Sequence, residues 1–432
     1  MSEKGFIFDY SRCVGCHACI VACYNQNHTE PPMAWRMVVN GNPIKIPLKG
    51  FINLSIACNH CVDAPCMVNC PAIAYSKDEI TGAIVHDHLK CIGCKYCTWA
   101  CPYETPKFNP AKGVIEKCNF CNDLLKEGGI PACAGACPTG ALTYGDIEIE
   151  PKLSKPGFPD VETSPRINAI NDTVERAIPE MDIDATGYQQ SNYTEHYTHR
   201  IRASKEMPLI VFTFLSAVLV GWFITFYRFE KISSFYRIAF IFLLAFAGFA
   251  SLLHLGKPLR AYRALLHVKS SWLSREIALF GAFALLSSIF VLTGTVALFW
   301  FALLVGTSFL ISVEMVYHVT RKNYRTPIHS ANTLLTAVTF ASLILISKEF
   351  VLFALIKLLL YLSRHAYGQK VDFKRFLLSL LRFLALLLPF VGILFGAIYV
   401  ITPFAILFLI GEFIDRYEYY TNIDTHNPIQ NI

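Results

Sequence analysis

Sixteen cysteines lie between Cys13 and Cys137, and the rest of this 432-residue chain contains none. They fall into four groups: Cys13, Cys16, Cys19 and Cys23; Cys58, Cys61, Cys66 and Cys70; Cys91, Cys94, Cys97 and Cys101; and Cys118, Cys121, Cys133 and Cys137. Groups one and three read C-x2-C-x2-C-x3-C, the spacing that winds a short loop around one corner of a 4Fe–4S cube. Three groups end in Cys-Pro (Cys70-Pro71, Cys101-Pro102, Cys137-Pro138), whereas Tyr24 follows Cys23. A disulfide framework would require an oxidising compartment, and the opening MSEKGFIFDYSRC carries neither a basic stretch followed by an apolar one nor a twin arginine. Zinc suits the fourth group taken alone. It does not account for three thiols within seven residues, as from Cys13 to Cys19 and from Cys91 to Cys97. Four 4Fe–4S clusters use every cysteine, making this segment a wire for single electrons.

In two-cluster ferredoxins the fourth cysteine of a run ligates the other cluster. Applied to nested groups, this rule assigns Cys13, Cys16, Cys19 and Cys137 to a cluster A, and Cys118, Cys121, Cys133 and Cys23 to a cluster B. Cluster C takes Cys58, Cys61, Cys66 and Cys101, and cluster D takes Cys91, Cys94, Cys97 and Cys70. The inner groups two and three then form one ferredoxin-like unit, and groups one and four close an outer unit around it. Sequential pairing, one with two and three with four, is the alternative.

The hydrophobic fraction of 54% averages two unlike halves. From Pro208 onward, apolar runs recur at the length that crosses a hydrocarbon core of roughly 30 Å. Spans are expected near 208–227, 235–255, 276–294, 295–319, 332–348, 349–363, 376–396 and 397–414, with Pro389 and Pro403 marking a hairpin in the last apolar stretch. Runs such as LIVFTFLSAVLVGWFITF, which have no polar face, weigh against the alternative of a packed soluble bundle. Residues 146–205 are acidic and proline-bearing and read as an extended connector wrapping the cluster domain. The expected fold is therefore an α+β tandem ferredoxin-like domain (1–145), a linker (146–205), an all-α polytopic membrane domain of about eight transmembrane helices (206–416) and a tail (417–432).

The net charge of +6 does not indicate nucleic acid, because the cations sit in alternate membrane loops. Sixteen Lys and Arg residues, among them Arg260, Arg263, Arg275, Arg321 and Arg416, fall on the side of the cluster domain, against Arg228, Lys231, Arg237 and Lys348 on the other. This asymmetry predicts an inner-membrane protein with its cluster domain and both termini in the cytoplasm.

The signatures CVGCHACIVACYNQNHTEPP and CIGCKYCTWACPYETP resemble the four-cluster iron–sulfur subunit of the dimethyl sulfoxide reductase family of molybdoenzymes, across residues 4–145. The membrane half resembles that family's anchor subunit through MPLIVFTF (207–214), LLHLGKPLRAYRALLHVKSSWLSREIALFGAF (252–283) and GEFIDRYEYY (411–420). The two subunits are usually separate chains and here are fused. The resemblance implies quinol oxidation in the bilayer, with menaquinol and ubiquinol both open. Electrons would then pass through the clusters to a separate molybdopterin catalytic subunit, for which this chain has no suitable stretch.

Glu276 and His254 are the expected quinol-site residues, on the third and second spans at equal depth, since quinol oxidation releases two protons and needs an acceptor. The bland alternatives are a helix cap for His254 and a surface pair with Arg275 or Lys269 for Glu276. Arg260 and Arg263 are weaker candidates, suited to lipid headgroups or to the cluster domain. Three rival readings remain: the same wiring run backwards into quinone; a cytochrome b anchor, for which His254, His318, His329 and His365 lie too near span ends; and a redox-driven ion pump using Lys357, Arg382 and Glu314. Arg382 is expected near a helix end, where it snorkels, and Glu314 beside a cation. No haem is expected.

Overall fold

The computed structural model describes residues 3–31, 33–40, 53–155, 157–170, 203–228, 233–322, 328–365, 373–394 and 401–424. The chain divides into two compact units: Met1–Arg200 with Leu259–Ser270 and Thr425–Ile432, and Ile201–Pro258 with Ser271–Asp424. The segment joining the second and third membrane-half helices thus belongs to the first unit.

The first unit is α+β. Its strand Glu3–Asp9 is central in a three-stranded sheet, antiparallel to Leu142–Ile147 and parallel to Ile167–Ile170. Phe6 and Phe8 point to one face of that strand and are buried, as the two-residue period requires. Hairpins Tyr75–Lys77/Ile84–His86 and Lys107–Asn109/Val114–Glu116 flank the inner cysteine groups. Gly15 and Gly93 occupy the same place in the two C-x-G-C runs and have φ of +68° and +70°, and His17 and Lys95 each begin the next helix from a left-handed conformation as well. A Cβ at Gly15 would stand 3.1 Å from the Asn53 side chain. Such left-handed turns aim backbone N–H groups inward, and that of Gly93 lies 3.4 Å from Cys91 Sγ.

Much of the stretch expected as linker lies on this unit. The backbone N–H of Val62 donates to Ser164 O at 2.9 Å, Tyr103 and Thr163 share a 2.7 Å hydroxyl contact, and buried Arg166 pairs with Glu3. Residues 171–202 lie outside the described residues.

The second unit has eight helices among the described residues: Met207–Thr225, Ser234–Leu253, Trp272–Thr293, Val296–Val316, Thr333–Ile344, Glu349–His365, Phe373–Leu394 and Ile401–Asn422. Four are long and apolar enough to cross a membrane, namely Met207–Arg228, Ser234–Leu253, Trp272–Thr293 and Val296–Val319. The first is central: 72% of its apolar window is buried, against 22% for the second. A Cβ on Gly221 would fall 2.5 Å from Ala337 O, so this glycine lets the first and fifth helices approach closely. Outward faces carry Phe235, Phe242, Phe249, Leu285, Trp300 and Leu304, which are suited to hydrocarbon and not to water.

Several expectations are corrected. The third helix begins at Trp272, so Glu276 lies in its second turn and does not open it. Pro389 sits inside Phe373–Leu394 and does not mark a hairpin; residues 395–400 lie outside the described residues. That last helix runs to Asn422, past the boundary drawn at 416. Arg382 is mid-helix and fully buried rather than snorkelling from an end. Arg416, counted among the loop cations, is buried within the last helix.

Candidate metal centres and a buried polar layer

Cys13, Cys16, Cys19 and Cys137 line one pocket, and Cys70, Cys91, Cys94 and Cys97 line another. Cys58, Cys61, Cys66 and Cys101 are mutual neighbours. Cys118 neighbours Cys23 and Cys133, while the Asn27 amide reaches Cys23 Sγ at 3.8 Å and Cys121 Sγ at 4.0 Å. The geometry therefore gathers the four nested sets, and the neighbours of Cys13 and Cys19 come from group four, not group two. Cys137 lies with group one, which removes the zinc geometry of the fourth group. Among the described residues no three Cys, His, Asp or Glu side chains converge as a single ion requires, whereas a cube spreads four thiolates around itself.

The surroundings suit cluster thiolates. Backbone N–H groups of Ala74, Phe120 and Leu142 lie 3.4 Å from the sulfurs of Cys70, Cys118 and Cys137. Hydroxyls of Ser55 and Thr105 contact those of Cys19 and Cys101 at 3.3 and 3.4 Å. Hydrogen bonds to sulfur are one of the levers on cluster potential.

Adjacent sets follow the order A, B, C, D. Cys19 faces Cys133, Cys118 faces Cys58, and Tyr75 lies between Cys66 and Cys97. Cys16, in set A, is exposed; Cys13, Cys94 and Cys137 are half-buried, and the other twelve are buried. Two fully buried cations stand among them. Arg36 donates to Ser55 O and Oγ at 3.2 and 3.0 Å, near Cys19, Cys23, Cys118 and Cys133. Lys117 lies 3.5 Å from Cys58 Sγ and donates to Cys118 O at 2.8 Å and to Ile84 O. Burial opposes both charges, yet the cysteine sulfurs hold both pKa values above their ordinary ranges. Neither cation stood out in the sequence, because a Lys or Arg near a cysteine run reads as a surface residue.

Arg260 and Arg263, expected as weak quinol-site candidates, bind carbonyls of the set D loops. Arg260 Nη1 donates to His88 O at 2.8 Å and Cys91 O at 3.2 Å, and Arg263 Nη2 to Ala72 O at 3.4 Å. His267 Nδ1 lies 2.9 Å from Cys70 O. The segment 259–270 thus holds both chain stretches that supply set D.

In the second unit, charged groups that looked isolated in the sequence form one buried layer. Lys357 Nζ is bound by Glu412 at 2.9 Å, Ser330 O at 2.6 Å and Thr336 Oγ1 at 2.8 Å. Arg382 Nη2 bridges Glu412 at 2.7 Å and Asp415 at 3.1 Å. Arg416 donates to Glu314 at 3.3 Å, Ala331 O at 3.0 Å and Thr213 Oγ1 at 3.1 Å, and its guanidinium lies over the rings of Tyr317, Tyr419 and Tyr420. Glu314 also accepts from His329 and Thr333, each at 2.9 Å. Three cations thus meet three carboxylates. Glu276 adds a further buried carboxyl within electrostatic reach of Arg416, Glu314, Tyr317 and Tyr420, away from the surface pairing weighed for it. His254 caps the second helix, its backbone N–H bound to Leu252 O. The overlooked signal was GEFIDRYEYY, where Glu412, Asp415 and Arg416 recur at i, i+3, i+4 on an otherwise apolar helix.

A cysteine-rich unit arranged around cluster-sized sets, joined to apolar helices, defines a membrane-anchored iron–sulfur electron-transfer protein. Residues 51–147 match the family described as 4Fe-4S dicluster domain, and residues 202–401 match the DMSO reductase anchor subunit (DmsC). One polypeptide of the anaerobic dimethyl sulfoxide reductase of Escherichia coli is 38% identical over 155 residues, 34% of this chain and 75% of that protein. The thiosulfate reductase electron transfer subunit PhsB of Salmonella typhi is 40% identical over 145 residues, 33% and 75%. One polypeptide of the sulfite dehydrogenase of Allochromatium vinosum is 31% identical over 168 residues, 34% and 70%. This protein belongs to the family of iron–sulfur subunits of dimethyl sulfoxide reductase-type complexes, and it carries that family's membrane anchor fused in the same chain. It is thus an electron-transfer and anchor component of an oxidoreductase complex, working in a membrane with a catalytic subunit.

Proposed function

We propose that the chain takes electrons from membrane quinol and passes them singly, through four 4Fe–4S clusters, to a separate molybdopterin catalytic subunit. The observation that carries this reading is the grouping of all sixteen cysteines into four adjacent sets of four. When bound, the clusters supply one-electron redox chemistry between a two-electron donor and a distant partner. The protein's own residues hold that wire in two nested ferredoxin-like units, outer sets A and B around inner sets C and D. Set D is taken as the entry end because segment 259–270, which binds its carbonyls, is continuous in sequence with the helices bearing His254 and Glu276. Exposed Cys16 makes set A the end open to the partner.

In the anchor, all eight helices serve as spans, with 1–145 as cluster domain, 146–205 as linker, 206–416 as anchor and 417–432 as tail. Glu276 accepts a proton as quinol gives up two electrons and two protons, and His254 assists from the neighbouring helix. The basic asymmetry supports the inner membrane with the clusters on the cytoplasmic face, even with Arg416 removed from the count. Anaerobic purification with its catalytic partner should give about sixteen iron and sixteen sulfide per chain, from four cubes of four, reducible by quinol. Half that content, with zinc making up the balance, sinks the four-cluster reading. The sulfite dehydrogenase relative favours a second reading, the same wiring run toward quinone. Reduction of quinone by the partner's substrate, with no quinol-driven reverse flow, would select it.

A further inference from the structure

Lys117 lies where two cysteine sets meet. Its ammonium is 3.5 Å from the sulfur of Cys58, in set C, and donates at 2.8 Å to the carbonyl of Cys118, in set B. A further bond to Ile84 O completes three contacts for its three donors, and the side chain is fully buried. A cation in that position lowers the energy of an added electron on either neighbouring cluster, and net charge and hydrogen bonding to sulfur set cluster potentials. With water excluded, the screening that weakens a surface charge is missing.

We propose that Lys117 is a potential-setting residue at the midpoint of the wire, raising the reduction potentials of clusters B and C together. The inference rests on the four-cluster reading above. An electron held by either cluster would sit beside this fixed charge; no bond would form or break, and Lys117 would keep its proton. Sets A and D lie beyond its contacts, so their potentials answer to other groups, Arg260 at the Cys91 carbonyl among them.

The test is an EPR-monitored redox titration of the full complex with mediators and dithionite, which needs neither quinol nor substrate. Fewer than four clusters in the unaltered protein would end the four-cluster reading before any variant is compared. In Lys117→Gln and Lys117→Met, two of the four midpoints should move to lower potential while two hold, with iron content unchanged. Lys117→Arg, which keeps the charge, should restore both. Four unmoved midpoints in either neutral variant overturn the proposal. So does loss of iron from both neutral variants with recovery in Lys117→Arg, because Lys117 would then hold the fold and not the potentials.

Discussion

Both units bury positive charge, and they balance it with different partners. In the second unit Lys357, Arg382 and Arg416 meet Glu412, Asp415 and Glu314 at 2.7 to 3.3 Å. In the first, Arg36 and Lys117 are surrounded by cysteine sulfurs, with backbone carbonyls and a serine hydroxyl as their hydrogen-bond acceptors. The cations of the second unit meet carboxylates within the polypeptide, while those of the first face sulfurs that carry charge only as thiolates bound to iron. The membrane unit should therefore fold on its own account, and the cluster unit should fold with its metal.

Iron removal is the largest test of that contrast. Chelating iron from the anaerobically purified protein should abolish protease resistance across residues 3–155 while the helices from Met207 stay protected, because cluster binding and folding are coupled there. Equal resistance in both units would remove the distinction. Next comes Glu276→Gln, which removes the proposed proton acceptor from the anchor. Quinol-driven cluster reduction should slow by about 10²-fold or more, with unchanged cluster spectra; a normal rate would move the quinol site elsewhere.

Breaking the internal balance of the membrane unit should be costly but repairable. Lys357→Met leaves Arg382 alone between Glu412 and Asp415, an uncompensated buried negative charge and a loss of about 3–5 kcal/mol, read by denaturant unfolding in detergent. Adding Glu412→Gln should recover part of it; a single variant as stable as the parent would show that the layer is not coupled. The smallest effect is expected for Arg260→Gln, whose bonds to His88 O and Cys91 O include a partly exposed one. Quinol-driven reduction should fall several-fold with iron content retained. No change would detach segment 259–270 from electron entry.

What could be read from the chain and what could not follow from the range of the interactions involved. The C-x2-C-x2-C runs and the apolar stretches are local signals: a cube corner is wrapped by seven residues, and a span must be apolar along its own length. The fourth-cysteine rule carries the reading further, because it pairs runs that lie far apart in the chain, such as Cys13 with Cys137. Arg382 and Arg416 were misplaced because each was judged against its own segment, as a snorkelling residue and a loop cation. Their partners come from other parts of the chain, with Glu314 a hundred residues before Arg416.

By itself the sequence determined how many thiols there are, how they are spaced, and that the second half is too apolar for water. These are properties of composition and short-range geometry. Only the tertiary structure decided that Lys117 stands between two cysteine sets, that segment 259–270 holds the loops of set D, and that scattered charges of the membrane half close into one layer. A buried charge is tolerable only beside its counter-charge. Where that partner lies is settled by packing between distant segments, which no single stretch of sequence records.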